Sequence, residues 1–395
     1  MADKTPAERI ADLRAQREAW AKNGAALHAW LASGAAETAL EPELEIVDPH
    51  HHLWDMRILR GHNMRSIMKQ QYYMTDELID DLVGGGHRIT HTVFVECHAF
   101  HAHNTAAPMM APLGEVQFVQ GIAAQFASNR FGPLRACAGI VGTADLAQYG
   151  AGIEPLLVAC KQQSPNYRGI RCVAAHDPKA PKAHFRPSTG LYHDATFREG
   201  FALLHKHGLS FDAWCFASQL PDMLDLAKAF PDTNIVLDHI GTPLAALGNL
   251  PEGEAPEYDG QQAAILADWK EHMSAIATEC PNVAVKIGGL GLPHMGHGLD
   301  QRETPASSEE LAELFGPLYL WVIQTFGAAR CMFESNFPVD KVSGSYCVLW
   351  NTFKRITQGM PEADRRLLFS GTAKRVYRLG DAAPKSSPYV VASKV

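Results

Sequence analysis

Eight short apolar runs, each followed by a stretch of helical periodicity, constrain this chain more than any other feature of its sequence. The first run opens at Ile46. The others are His91 to Cys97, Arg135 to Val141, Arg168 to Val173, Leu209 to Trp214, Asn234 to His239, Val283 to Ile287 and Cys331 to Glu334. Helical spacing of apolar residues follows at Thr75 to Val83, Glu115 to Ser128, Ile153 to Lys161, Ala195 to His207, Leu220 to Phe230, Gln262 to Cys280, Ser308 to Phe326 and Tyr346 to Thr357. Strands that alternate with helices build a parallel sheet, because a parallel connection needs a crossover long enough to hold a helix. A count of eight predicts closure into a (β/α)8 TIM barrel, and 395 residues suffice for such a barrel with insertions.

The joints agree. Thr75 and Ser308 fit helix N-caps, and Gly208 and Gly327 fall where a helix would turn into the next strand. Long inserts follow strands two, four, six and seven, at Ala99 to Leu113, Ala174 to Asp194, Gly241 to Gly260 and Gly288 to Ala306. In a parallel barrel these sit at the carboxyl ends of the strands, the face that carries the active site. Residues 1–43 read as an N-terminal helical extension, residues 44–380 as the barrel and 381–395 as a surface tail. The extension carries an apolar stripe of Ile10, Leu13, Trp20, Leu27 and Leu31, with Trp20 and Trp30 as anchors onto the barrel or a second subunit, so a homodimer is expected.

The polar residues at the strand ends are then the site candidates. Strand one runs into D-P-H-H-H-L-W-D, Asp48 to Asp55, where alternation puts His50 and His52 on one face and His51 on the other. Further strand ends offer Glu96 with His98, His101 and His103; Arg171 and His176; Asp212; Asp238 and His239; Lys286; and Glu334, Ser335, Asn336 and Asp340. Glu96 reads equally as a buried charge paired with Arg171 or Lys286, since an interior carboxylate must find a partner. His98, His101 and His103 fit a solvated loop better than a metal site, and Asp212 fits a loop hydrogen bond better than catalysis. His239 ends N-I-V-L-D-H just before a Gly-Thr-Pro turn and fits a site role.

Composition excludes several classes. The net charge of −8 and the absence of a Lys/Arg-rich block argue against nucleic acid. No long uninterrupted apolar stretch suggests a membrane span, and the first residues lack a signal-peptide core, so a cytoplasmic protein is expected. The eight cysteines are scattered singly without a C-x-x-C pair and read as buried thiols.

Four motifs in order, D-P-H-H-H-L-W-D at Asp48, R-G-I-R at Arg168, V-L-D-H-I-G-T-P at Val236 and F-E-S-N-F-P-V-D at Phe333, resemble the amidohydrolase superfamily. The resembling branch is the TIM-barrel hydrolases that include sugar lactonases and 2-pyrone-4,6-dicarboxylate lactonase. The resemblance spans roughly residues 44–380 and implies a distorted barrel that hydrolyses a lactone or related cyclic ester or amide. It implies that His50, His52 and His239 polarise the substrate carbonyl, directly or as ligands of one zinc or other divalent metal. Arg171 would contact an anionic or carbonyl-bearing small molecule, with Trp54, His176, Asn336 and Glu96 beside it.

Two departures follow. The branch usually carries an aspartate base where this chain has Asn336, whose amide cannot take a proton. It also tends to carry a histidine after strand five, near Ala217 here. A binuclear metal site is therefore disfavoured, and the base falls to Asp340 or Glu334, with Glu96 and His176 behind them. A decarboxylase of the same superfamily and a catalytically degenerate small-molecule-binding barrel are the alternative readings.

Overall fold

A computed structural model of the chain describes residues 6–56, 69–102, 107–180, 185, 188–250, 255–289 and 291–380. His103 and the tail 381–395 lie outside the described residues. Eight parallel strands form one sheet in sequence order: β1 (Glu45–His51), β2 (Arg88–Val95), β3 (Arg135–Gly142), β4 (Tyr167–Val173), β5 (Ser210–Trp214), β6 (Ile235–Leu237), β7 (Val283–Ile287) and β8 (Cys331–Phe333). The chain beyond β8 returns to β1, where Asn336 N–H donates to His50 O at 2.9 Å and His52 N–H to Phe337 O at 2.8 Å. These bonds close the ends of the sheet on each other, giving the expected (β/α)8 barrel.

Both faces of a closed parallel sheet are covered, which is why the strands read as continuous apolar runs rather than alternating ones. Inside, Val47, Val93, Val141, Val236, Ala284 and Met332 pack as one cluster with Ala373, Val376, Tyr377 and Leu379. The last four residues plug the amino-terminal end of the barrel. Lys374 Nζ pairs with Glu45 at 2.8 Å, Arg378 donates to Arg168 O, and Asn234 donates to Val376 O, and all three strand residues lie at strand starts. With that end closed, the opposite end is left for chemistry.

The outer helices are α1 (Pro6–Ala32), α2 (Thr75–Gly84), α3 (Leu113–Ala127), α4 (Glu154–Gln163), α5 (Ala195–Lys206), α6 (Leu220–Ala229), α7 (Gln262–Glu279), α8 (Ser308–Phe326) and α9 (Tyr346–Ile356). Two caps shift by one residue from the expected positions. Met74 rather than Thr75 precedes α2, with Glu77 reaching back to the Met74 N–H at 3.0 Å. Ser307 rather than Ser308 caps α8, its Oγ accepting from Glu310 N at 3.2 Å, while the Ser308 N–H donates to Glu37 Oε1 at 2.7 Å. Helix α1 docks through its carboxyl end, where Leu27 is buried and the Trp30 indole donates to Arg302 O at 2.8 Å. Ile10 is exposed, so the expected apolar stripe is not covered along its whole length, and the Leu13 and Trp20 side chains lie outside the described residues.

One outer element turns a carboxylate inward. Glu115, near the start of α3, is 2% exposed and accepts from Ala99 N at 2.8 Å and Cys97 N at 3.3 Å. Burial, reinforced by the nearby Glu96, pushes its pKa up to about 7. Between its ordinary value and about 7 the folded chain holds a proton that the unfolded chain has released. Stability from this group is therefore fully present at acid pH and falls as pH rises, by up to about 3 kcal/mol. Glu115→Gln keeps its amide oxygen for the shorter bond, from Ala99 N, and does not titrate, so urea melts at pH 5 and 8 should differ less in the variant than in wild type. An unchanged difference would show that Glu115 does not titrate this way.

Candidate active site

At the carboxyl end of β1 the alternation holds. His51 turns outward, with Nε2 2.8 Å from Thr92 Oγ1 on β2, while His50 and His52 face the mouth. Asp48 anchors this stretch, accepting from His50 N at 3.3 Å, Ser335 N at 3.0 Å and Tyr346 Oη at 3.0 Å. The expected continuation of β8 does not occur. The strand ends at Phe333 and Asn336 takes a left-handed φ of 53°, so Glu334 and Asn336 diverge rather than share a face. His239 likewise leaves β6 with φ 54°. Non-glycine residues in this region cost free energy and concentrate at functional sites.

Glu334 joins the strand-one and strand-six histidines. Its Oε1 accepts from His239 Nδ1 at 2.7 Å and His239 N at 3.2 Å, and its Oε2 lies 2.6 Å from His50 Nδ1. The His50 and His239 rings stack with centroids 4.7 Å apart, and all three residues are buried. Burial alone would strip the proton from His239, but Glu334 beside it outweighs that and raises its pKa. Burial and the neighbouring Lys286 hold His50 neutral instead. Lys286 Nζ and Arg171 Nη1 approach its two ring nitrogens at 3.2 and 3.4 Å.

The loop after β7 makes room for this cluster. A Cβ on Gly288 would lie 2.4 Å from Glu334 Cγ, and one on Gly289, whose φ is 70°, would lie 2.4 Å from His239 Cγ. Gly289→Ala is thus expected to displace the His239 ring. Displacements of this size in a reacting group cost roughly 10²-fold in turnover, so kcat should fall by about that factor, with a loss of stability of about 1 to 3 kcal/mol from the strained, overpacked alanine. A variant with wild-type kcat would mean the ring is free to move. The sequence reading assigned no role to these glycines.

Beneath His50 lies a buried ion network. Lys286 Nζ pairs with Asp212 Oδ2 at 2.7 Å and Asp238 Oδ1 at 3.0 Å, and Tyr377 Oη donates to Asp212 Oδ2 at 2.7 Å. Burial would remove the lysine proton, but Asp212 and Asp238 hold it in place. Asp212 is therefore an ion-pair partner rather than the loop contact expected.

Arg171 differs from expectation. Its Nε donates to Glu96 Oε1 at 2.7 Å and its Nη2 to Glu96 O at 2.7 Å, so the flat fork suited to a substrate carboxylate is already taken. Of the two expectations for Glu96, the Arg171 pair is realised. Its other oxygen meets His98 Nε2 at 3.0 Å, and Glu96 overcomes burial to raise His98 to about 9. The rings of His98 and His101 lie 4.7 Å apart. Trp54, expected at the substrate, is instead fully buried, stacked on His52 at 5.6 Å, with its indole N–H on Gln70 O. His176 is held through its backbone N–H by Gln219 Oε1 at 3.3 Å. The Asn336 amide donates to Asp340 Oδ1 at 2.7 Å.

The expected metal trio comes together only in part. His52 Nδ1 donates to Val95 O at 2.8 Å, which leaves Nε2 as the acceptor of that ring. Among the described residues, the candidate ligating atoms within 4.8 Å of one another belong to His50, His239 and Glu334, and His52 is not in this group. Two imidazoles and a carboxylate are a donor set of catalytic zinc. His50 Nδ1 already faces the Lys286 ammonium, and Glu334 Oε2 has no hydrogen-bond partner among the described residues. Two acceptor atoms 2.6 Å apart need a positive centre between them, a proton or a cation, so the residues fit a divalent metal.

The amidohydrolase family profile matches residues 47–379. An uncharacterized protein of Sinorhizobium fredii, y4mH, is 29% identical over 349 residues, covering 85% of this chain and 99% of its own. The L-fucono-1,5-lactonase of Burkholderia multivorans is 29% identical over 195 residues, 48% of this chain and 58% of that enzyme. The crystal structure of an amidohydrolase from Burkholderia multivorans with bound zinc aligns over 85% of this chain and 99% of its own, with a TM-score of 0.60 and 23% identity, and shares the fold. No helix among the described residues is long and apolar enough to cross a membrane. With its barrel closed around a His-His-Glu cluster and the family profile running from β1 to the terminal plug, the chain belongs to the amidohydrolase family and is a hydrolase of that superfamily.

Proposed function

We propose that this enzyme opens the ring of a neutral lactone by attack of water on its carbonyl carbon. The observation that carries the reading is the buried His50, Glu334 and His239 cluster at the open end of the barrel. Similarity to the L-fucono-1,5-lactonase supports the same substrate type. His50, His239 and Glu334 would hold one divalent metal, zinc by the chemistry of the donors, which supplies Lewis-acid polarisation of the carbonyl when bound. His52 presents Nε2 beside His50, their ring centroids 5.0 Å apart, and orients the substrate. A carboxylate of the β8 turn takes the proton from water.

Charge favours a neutral substrate over the anionic one that a free Arg171 would suit. Glu96 occupies Nε and Nη2 of Arg171, and Asp212 and Asp238 flank the Lys286 ammonium, so both buried cations already have carboxylate partners. A substrate carboxylate would have to displace one of these partners to reach either cation, at a desolvation cost. The test is metal analysis of the purified protein together with turnover on panels of neutral and carboxylated lactones. Ring-opened acid from neutral lactones is expected. Release of CO₂ from an aromatic acid would identify a decarboxylase instead, and absence of both metal and turnover would identify a degenerate binding barrel.

A further inference from the structure

We propose that Asp340 is the general base of this hydrolase, carried into the site by the amide of Asn336. The inference rests on the lactonase reading above. The other carboxylates at this end of the barrel are committed. Glu334 bridges the two histidines, Glu96 pairs with Arg171 and His98, and Asp212 and Asp238 compensate Lys286. Asp48 ties β1 to the β8 turn through His50 N, Ser335 N and Tyr346 Oη.

Asp340 is held differently. Oδ1 accepts one hydrogen bond from Asn336 Nδ2 at 2.7 Å and Oδ2 one from Gly291 N at 3.0 Å. Among the described residues no lysine or arginine pairs with it. A carboxylate oxygen accepts at two lone pairs, so each oxygen keeps one for water. Both supports are rigid. Asn336 N–H is bonded to His50 O on β1, and Gly291 O accepts from Ser343 Oγ at 2.6 Å. A Cβ on Gly291 would sit 2.8 Å from Asp340 Cγ, so the carboxylate packs directly on backbone that only glycine permits. Burial, opposed by His239, pushes its pKa to about 7, a value matched to proton transfer at neutral pH.

In the step itself, Asp340 takes one proton of water as the water oxygen bonds to the lactone carbonyl carbon and the C=O electron pair moves onto oxygen. Collapse breaks the ring C–O bond, and Asp340 returns the proton to the departing alkoxide. One water is consumed, a hydroxy acid leaves and the carboxylate is restored.

The experiment uses the full chain with its metal and a lactone that wild type hydrolyses. Asp340→Asn preserves shape: its one amide oxygen can still accept from Gly291 N, and its NH₂ can donate to the Asn336 amide oxygen once that side chain flips. Its kcat is expected to fall about 10²- to 10⁴-fold, with KM, metal content and melting curve near wild type. Formate added to Asp340→Ala should restore part of the turnover, and the exchange Asn336→Asp with Asp340→Asn should exceed Asp340→Asn by about tenfold or more. Asp340→Asn activity within about threefold of wild type, or a loss confined to KM, overturns the assignment while leaving the lactonase reading intact. Failure of wild type on every lactone overturns that reading and the base with it.

Discussion

Glu334→Gln is expected to reduce kcat by about 10³-fold or more and, by removing one of the three proposed ligands, to leave the purified protein without divalent metal. Glu334 contacts both His50 and His239, through different oxygens. An amide presents one oxygen and one NH₂, so one contact is necessarily lost. If the oxygen stays with His239, the NH₂ meets His50 Nδ1, which Lys286 already approaches at 3.2 Å. If it turns to His50, the NH₂ faces the His239 Nδ1–H. Either orientation removes the negative charge that raises the His239 pKa and that would complete a His-His-carboxylate ligand set. Loss of Lewis-acid polarisation alone is worth several kcal/mol of barrier, on the order of 10³-fold. Metal analysis read beside kcat is decisive. Full metal occupancy with near-normal turnover in Glu334→Gln would place the reaction centre elsewhere in the mouth.

The cluster was half legible in the sequence. Strand alternation alone separates His50 and His52 from His51, and the order of motifs marks His239 and the F-E-S-N-F-P-V-D stretch as strand ends. Alternation assigns a face but not a distance, so it could not decide whether His52 or Glu334 completes the trio. The left-handed turn at Asn336, which swings Glu334 one way and Asn336 the other, is set by bonds to β1 some 280 residues earlier in the chain. The partner of Glu96 was open between Arg171 and Lys286 for the same reason. Position around the barrel decides it, since Lys286 on β7 lies beside Asp238 at the end of β6 and reaches Asp212 on β5, while Glu96 faces Arg171 across the mouth. The glycines at 288, 289 and 291 carry no chemistry of their own. Their role appears only once Glu334, His239 and Asp340 are packed against them.

Lys286→Met should be the most destabilising single change outside the apolar core, by about 3 to 5 kcal/mol, because it leaves buried carboxylates without their cation. Lys286, Asp212 and Asp238 are fully buried, and the ammonium also lies 5.5 Å from the Tyr377 ring centre, above the plug that closes the barrel. Methionine fills similar volume, so the loss is electrostatic rather than a cavity. Without Lys286 the fold favours protonated Asp212, whose folded pKa then rises further above that of the unfolded chain. Such a group stabilises at acid pH and ceases to do so as pH rises. The deficit of Lys286→Met relative to wild type should therefore be larger at pH 8 than at pH 5 in urea melts. Adding Asp212→Asn should recover a substantial part of it at pH 8, since the amide can still accept from Tyr377 and buries no charge. A deficit independent of pH and untouched by Asp212→Asn would mean that Lys286 stabilises by packing its alkyl chain, and that the charge beneath His50 is not what orders this end of the barrel.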